Sequence, residues 1–173
     1  MSKNARDEKD AANEPITLLR APISLSYDYS AGQSASRFLR AIAKGKLLGQ
    51  KCPVDGRVYF PSRGACPQHG VGFGDEVVEL SDKGTIATFS IVRVPSAAIP
   101  LELPYITVNI VLDGSDTVLM HVLDGNLDEV RMGMRVQAVW KPKEEWTTST
   151  ANIMYFRPID EPDADYDSYK EHI

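Results

Sequence analysis

Cysteine is nearly missing from this chain: Cys52 and Cys66 are the only two in 173 residues. Two thiols cannot build the disulfide framework of a small secreted domain. No run of eighteen apolar residues occurs, which excludes a membrane-spanning helix. The first fifteen residues, MSKNARDEKDAANEP, have no apolar stretch, so they are not a secretory signal, and a cytoplasmic protein is expected. Cations are outnumbered, with 19 Lys and Arg against 24 Asp and Glu, for a formal net charge of −5. A generic nucleic-acid binder leans the other way, because Lys and Arg make its phosphate contacts. The chain also lacks a GxSxG elbow, a P-loop, a GxGxxG after a strand and an HExxH helix. Histidine occurs three times. His121 has no serine or cysteine nucleophile near it in sequence, and it reads as a structural strand residue.

What is present is ordinary for one globular domain with a small appendage: 43% hydrophobic and 25% charged residues. Within it, one small pattern occurs twice. Cys52-Pro53-Val54-Asp55-Gly56 and Cys66-Pro67-Gln68-His69-Gly70 are both C-P-x-x-G, with ten residues between Asp55 and Cys66. A C-x2-C pair aims two side chains at one ion, and a following glycine lets the backbone fold back beneath it. Here the second ligand of each pair is Asp55 in one copy and His69 in the other. Both types are competent zinc ligands, whereas an aspartate oxygen is a harder donor than thiolate. A structural Zn2+ held by Cys52, Asp55, Cys66 and His69 is the expectation. The alternative is a ribbon that has lost its metal and stands on aromatic packing around Tyr59 and Phe60. Four protein ligands leave no position for water, so the site is not expected to be hydrolytic.

Around the doublet the organisation is mainly β. A flexible N-terminal arm spans 1–32, polar to residue 15 and then carrying Ile16, Leu18, Leu19, Ile23, Leu25, Tyr27 and Tyr29. Sequence leaves open whether that arm packs on its own core or docks on a partner. An amphipathic helix covers 33–46, with Ser34 as its cap, Ala35, Phe38, Leu39 and Ile42 on one face, and Gly45 as its stop. The zinc-ribbon-like module occupies 47–75. From there the period changes to two, which predicts strands near 76–80, 84–94, 106–112, 117–123, 134–141 and 152–158, forming a small barrel or sandwich over 76–158. The Asp113-Gly114 turn predicts a hairpin of strands 106–112 and 117–123. An acidic tail, 159–173, reads as a solvated end.

This order of elements resembles the family catalogued as domain of unknown function 35. The likeness runs over roughly residues 27–157 and is carried by SRFLRAIAKGKLLGQKCPVDGRVYFPSRGACPQHG, by GTIATFSIVRVP and PLELPYITVNIVLDGSDTVLMHVLDG, and by VRMGMRVQAVW. The chain departs from the family at Asp55 and His69, where cysteine is usual. The resemblance implies a helix, a rubredoxin-like ribbon and a five-stranded OB-fold barrel. It also implies a non-catalytic accessory subunit of a thiolase-like acyl-CoA enzyme: a thiolase, an acyltransferase or an SCP-x-type aldolase, as in steroid or aromatic acyl-CoA degradation. The catalytic subunit supplies the chemistry, in a heterotetramer built on a dimeric partner, and neither nucleic acid nor membrane is involved. CoA or acyl-CoA would be shared with that partner. The cations suited to its phosphates are Arg37, Arg40 and Lys44 on the helix and Arg57 and Arg63 beside Tyr59 and Phe60 on the ribbon. Two rival readings remain: a single-stranded nucleic-acid-binding OB-fold protein, and a stand-alone enzyme using His121.

Overall fold

The computed structural model describes residues 21, 23, 25–96 and 99–173. The sequence reading of residues 1–15, and of Ile16, Leu18 and Leu19, lies outside them. Residues up to Ser30 form a unit of their own. Its described part exposes Ile23, Leu25, Tyr27 and Tyr29, and the two tyrosine rings lie 6.1 Å apart.

The second unit, Ala31–Ile173, begins with α1 (Gly32–Ile42). Phe38, Ala41 and Ile42 are buried, so the predicted apolar face is the one that packs. The helix starts two residues before the expected cap at Ser34, and no side chain caps it. Its last residue is Ile42, four short of the expected 46, and the chain turns away through residues 43–45. Gly45 has φ +72°, and a Cβ there would meet the Trp146 ring at 2.6 Å.

A three-stranded antiparallel sheet follows, ordered β2-β1-β3, from β1 (Leu47–Lys51), β2 (Val58–Tyr59) and β3 (Val77–Leu80). The remaining strands are β4 (Lys83–Val92), β5 (Tyr105–Leu112), β6 (Val118–Leu123), β7 (Arg135–Trp140) and β8 (Ile153–Pro158). They close into a barrel of order β4-β5-β6-β8-β7, with β7 returning to β4. β6 and β8 run parallel and every other pair is antiparallel. This is the five-stranded OB-fold arrangement. The predicted hairpin forms in register, from Ile106 opposite Leu123 to Val111 opposite Val118.

Helix, ribbon and barrel share one core. Phe38, Ile42, Leu47 and Phe60 join Ile86, Ile110, Val136 and Phe156 in a single buried cluster. Phe38 and Phe60 meet edge to face at 5.4 Å. Asn152, 1% exposed, locks the helix end to the barrel. Its amide donates to the carbonyls of Ile42 (3.1 Å) and Thr147 (2.7 Å), and its oxygen accepts from the Thr147 N–H (2.9 Å). The ribbon is stitched to the β5–β6 turn, where Thr117 both receives the Phe60 N–H and donates to the Phe60 carbonyl, each at 2.8 Å.

The acidic tail is not left in solvent. Tyr169 is 7% exposed, and the Ala164 N–H donates to the Gly133 carbonyl. Glu161 pairs with Lys83 (2.6 Å) and Arg135 (3.1 Å), and Asp163 with Arg131 (2.6 Å). The sequence shows the carboxylates but not the cations opposite them, because those lie on other elements.

Candidate metal centre and its surroundings

The two C-P-x-x-G turns fold alike. In the first, the Cys52 N–H donates to the Arg57 carbonyl and the Gly56 N–H to the Cys52 carbonyl; in the second, Cys66 pairs in the same way with Val71 and Gly70. The closing glycines have φ +76° and +66°, a backbone that side chains resist and glycine accepts. Each turn therefore throws its cysteine inward, and both cysteines are 1% exposed.

Cys52 Sγ, Cys66 Sγ and the His69 ring come together within 4.8 Å of one another. His69 Nδ1 stands 3.5 Å from Cys52 Sγ and 3.4 Å from Cys66 Sγ. A sulfur and a nitrogen bound to one tetrahedral zinc stand about 3.5 Å apart. One ring nitrogen has a single proton or lone pair to offer, so it cannot satisfy both sulfurs by hydrogen bonding, whereas a shared ion can. The three residues thus fit a zinc ion, and Cys52, Cys66 and His69 are the residues that would hold it. Asp55 stands at the rim, its Oδ2 3.9 Å from His69 Nδ1 and its Oδ1 accepting the Arg57 N–H at 3.1 Å. An oxygen–nitrogen edge of a zinc tetrahedron is about 3.4 Å, so Asp55 stands beside the group of Cys52, Cys66 and His69 and outside it.

The electrostatics favour thiolate at one sulfur. Burial pushes the Cys66 thiol up, but the Tyr59 hydroxyl at 3.6 Å, the His69 backbone and ring, and Cys52 outweigh it and bring it to about 6. Tyr59, facing that sulfur, is pushed up to about 12 and stays a donor. Burial also raises Cys52, the partner that keeps its proton until metal displaces it. Burial alone would raise Asp55, yet the Arg57 N–H, the Cys52 thiol and the nearby His69 and Arg57 hold it below the ordinary carboxylate value. Val71 and Phe73 pack around the pair, with the Phe73 ring 5.3 Å from Tyr59. If Asp55 were the fourth ligand, as the sequence pattern expects, the ion would supply shape, since no position would stay open for a reactant.

The five cations singled out for CoA do not converge as one group. Arg37 is tied to Asp75 at 2.9 Å, and Arg57 lies 3.7 Å from Asp55 and 3.9 Å from Glu171. Arg40, Lys44 and Arg63 are exposed, and Arg63 lines a hollow of about 380 Å3 with Ser34 and Gly64 at the start of α1. His121 faces the barrel interior from β6, opposite Val108 and 5.4 Å from the Phe156 ring. Its Nδ1 is buried without a hydrogen bond.

Sequence reasoning missed Arg135, which lines the floor of a polar hollow of about 440 Å3. It donates twice to Asp113 (2.7 and 2.6 Å), and to Thr85 (3.0 Å) and Glu161 (3.1 Å). The sequence shows Asp113 only as part of the Asp113-Gly114 turn. No sequence signal joins residues on separate strands, and the guanidinium is fully engaged.

Known proteins resemble this chain in both sequence and fold. The family model described as the ChsH2 C-terminal OB-fold domain matches residues 77–141. A DUF35 domain-containing scaffold protein of Methanocaldococcus jannaschii is 33% identical over 116 residues, covering 66% of this chain and 82% of its own length. One from Pyrococcus furiosus, described in the same words, is 33% identical over 119 residues, 67% of this chain and 85% of its own. Among solved structures, the Ltp2-ChsH2(DUF35) aldolase superposes with a TM-score of 0.55 at 21% identity, over 76% of this chain and 98% of that one. A DUF35 protein of unknown function from Sulfolobus solfataricus gives 0.54 at 20%, over 73% and 84%. At these identities the structural likeness speaks for the fold.

Proposed function

The chain belongs to the DUF35 family, and from that premise we propose that it is a non-catalytic accessory subunit of a thiolase-like acyl-CoA enzyme. The observation that carries the reading is its kinship, at one residue in three, with proteins described as scaffolds. A structural neighbour described as an aldolase pairs the name DUF35 with a second protein, which supports a catalytic partner of aldolase or thiolase type. Within such a complex this chain stabilises the partner, and Zn2+ on Cys52, Asp55, Cys66 and His69 braces the ribbon.

The CoA contribution falls on fewer residues than the five cations of the sequence. Arg37 and Arg57 are already paired, whereas Arg40, Lys44 and Arg63 are exposed and in no ion pair among the described residues. We assign the phosphate contacts to those three. Arg40→Ala with Lys44→Ala should weaken acyl-CoA binding by the complex and leave assembly intact. Unchanged binding in calorimetry would remove the assignment.

The nucleic-acid alternative is disfavoured by the barrel surface. The only lysine or arginine on β4, β5 and β6 is Lys83, and Glu161 neutralises it. A basic groove with stacking aromatics is what that function requires.

Native mass spectrometry of the chain co-expressed with a thiolase-like subunit of the same genome tests the reading. A complex with one zinc per chain is the expected spectrum. A complex without metal would retain the function and make the doublet a packed relic. A lone chain with no partner and no CoA affinity would overturn the proposal.

A further inference from the structure

Barrel closure in this protein is incomplete on one side of β4. The strand pairs with β7 only over Lys83–Thr85, and one further exchange links Ile86 with Gly133 and Met134. It pairs with β5 along its whole length, from Gly84 opposite Leu112 to Val92 opposite Tyr105. A bulge between Ile86 and Thr88 marks where β4 leaves β7. Among the described residues, nothing pairs with the other edge of β4 from Ala87 to Val92.

Antiparallel alternation fixes which groups face that edge. The Asp113 N–H donates to the Lys83 carbonyl, so Lys83 and Thr85 face β5. The bulge shifts the count by one, so Thr88, Ser90 and Val92 face β5 next. The N–H and C=O groups of Phe89 and Ile91 are left pointing to the open side. Natural edges are guarded by lysine, proline or inward charges. The open stretch here, Ala-Thr-Phe-Ser-Ile-Val, has none of these.

The same hairpin end gathers exposed apolar side chains. Phe89, Val94, Ile99, Leu101 and Leu103 are 37–74% exposed, within fifteen residues of chain. Arg93 continues the strand, exposed and in no ion pair among the described residues. A free backbone ladder is satisfied by an extended peptide, apolar flanks by apolar side chains, and a lone guanidinium by a carboxylate.

We propose that the open edge of β4, residues 87–92, with the aliphatic hairpin end beyond it, is the docking arm for the catalytic partner. The occupant is an extended, largely apolar segment of the partner that adds as a further strand beside β4 and places a carboxylate at Arg93. This rests on the accessory-subunit reading and gives it a surface.

Hydrogen-exchange mass spectrometry on the co-purified complex of the full chain with the thiolase-like subunit tests it. The Phe89 and Ile91 amides within 87–92 should exchange roughly tenfold or more slowly in the complex than in the lone chain. Two variants accompany this. Phe89→Pro removes an edge donor but leaves the ladder to β5, and Val94→Glu puts a charge on an exposed side chain and cannot disturb the core. Loss of the complex with unchanged melting is the expected result, and where Phe89→Pro does not fold, Val94→Glu decides. A complex that survives Val94→Glu with 87–92 unprotected overturns the proposal. Protection of 87–92 in the lone chain, growing with its own concentration, also overturns it and makes a second copy the occupant. Failure of the wild-type chain to co-purify with any thiolase-like subunit of the genome instead removes the accessory reading beneath it.

Discussion

At the scale of single residues, the metal centre and His121 make opposite demands on the protein. Cys66→Ser should abolish zinc retention, since it removes the sulfur held as thiolate. Asp55→Ala should weaken retention, and a loss beyond the roughly 10- to 100-fold that outer partners of a metal site are worth would mark Asp55 as a ligand rather than a neighbour. Metal content after dialysis against a chelator reads both, and full retention by Cys66→Ser would refute the site. His121 is a liability rather than an asset. Its buried Nδ1 has no partner, so His121→Leu should raise stability by about 1 kcal/mol, measured by urea unfolding. Burial also lowers its pKa below the ordinary 6.5. A group depressed on folding contributes stability above its unfolded pKa and loses it as pH falls through the folded one. The wild type should therefore weaken as pH drops below 6.5, and His121→Leu should reduce that decline, the lowered Cys66 thiol supplying the rest.

At the scale of elements, two joints hold the modules in place. Asn152 satisfies three backbone groups between α1 and the barrel, so Asn152→Ala should cost about 3 kcal/mol. That is a fall of roughly 2–4 °C in melting temperature per kcal/mol for a chain of this length. The tail forms the second joint. Glu161 is depressed by Lys83 and then by Arg135, and Asp163 by Arg131. Their contribution is complete above the ordinary carboxylate values of 4.5 and 3.8 and is lost as pH falls through the lowered ones. Melting curves through the acid range should show this second decline below that of His121, and Lys83→Met with Arg131→Ala should flatten it. Strand positions were legible because alternation is local: the expected 106–112 is observed as Tyr105–Leu112, and 152–158 as Ile153–Pro158. The knuckles were legible because C-P-x-x-G specifies a turn by itself. The Arg135–Asp113 contact, the anchoring of the tail and the open side of β4 were not, since each depends on elements far apart in the chain.

At the scale of the whole molecule, the second unit should unfold as one body. Phe38 lies on the helix, Phe60 on the ribbon and Phe156 in the barrel, yet all belong to one buried cluster. Phe38→Ala should cost roughly 3–5 kcal/mol and lower a single calorimetric transition. Two separate transitions would mean that the modules are independent. The twin turns bear on a different question, what the ribbon keeps when no ion is bound. Each is closed by backbone bonds from Gly56 to Cys52 and from Gly70 to Cys66, with Tyr59 and Phe73 packed alongside. Small zinc fingers need their ion in order to fold. Here backbone hydrogen bonds and aromatic packing also close the two turns, so the ribbon does not stand on an ion alone. Treatment with a chelator should therefore lower the melting transition of this unit without abolishing it, because the buried cluster of Phe38, Phe60 and Phe156 does not depend on an ion.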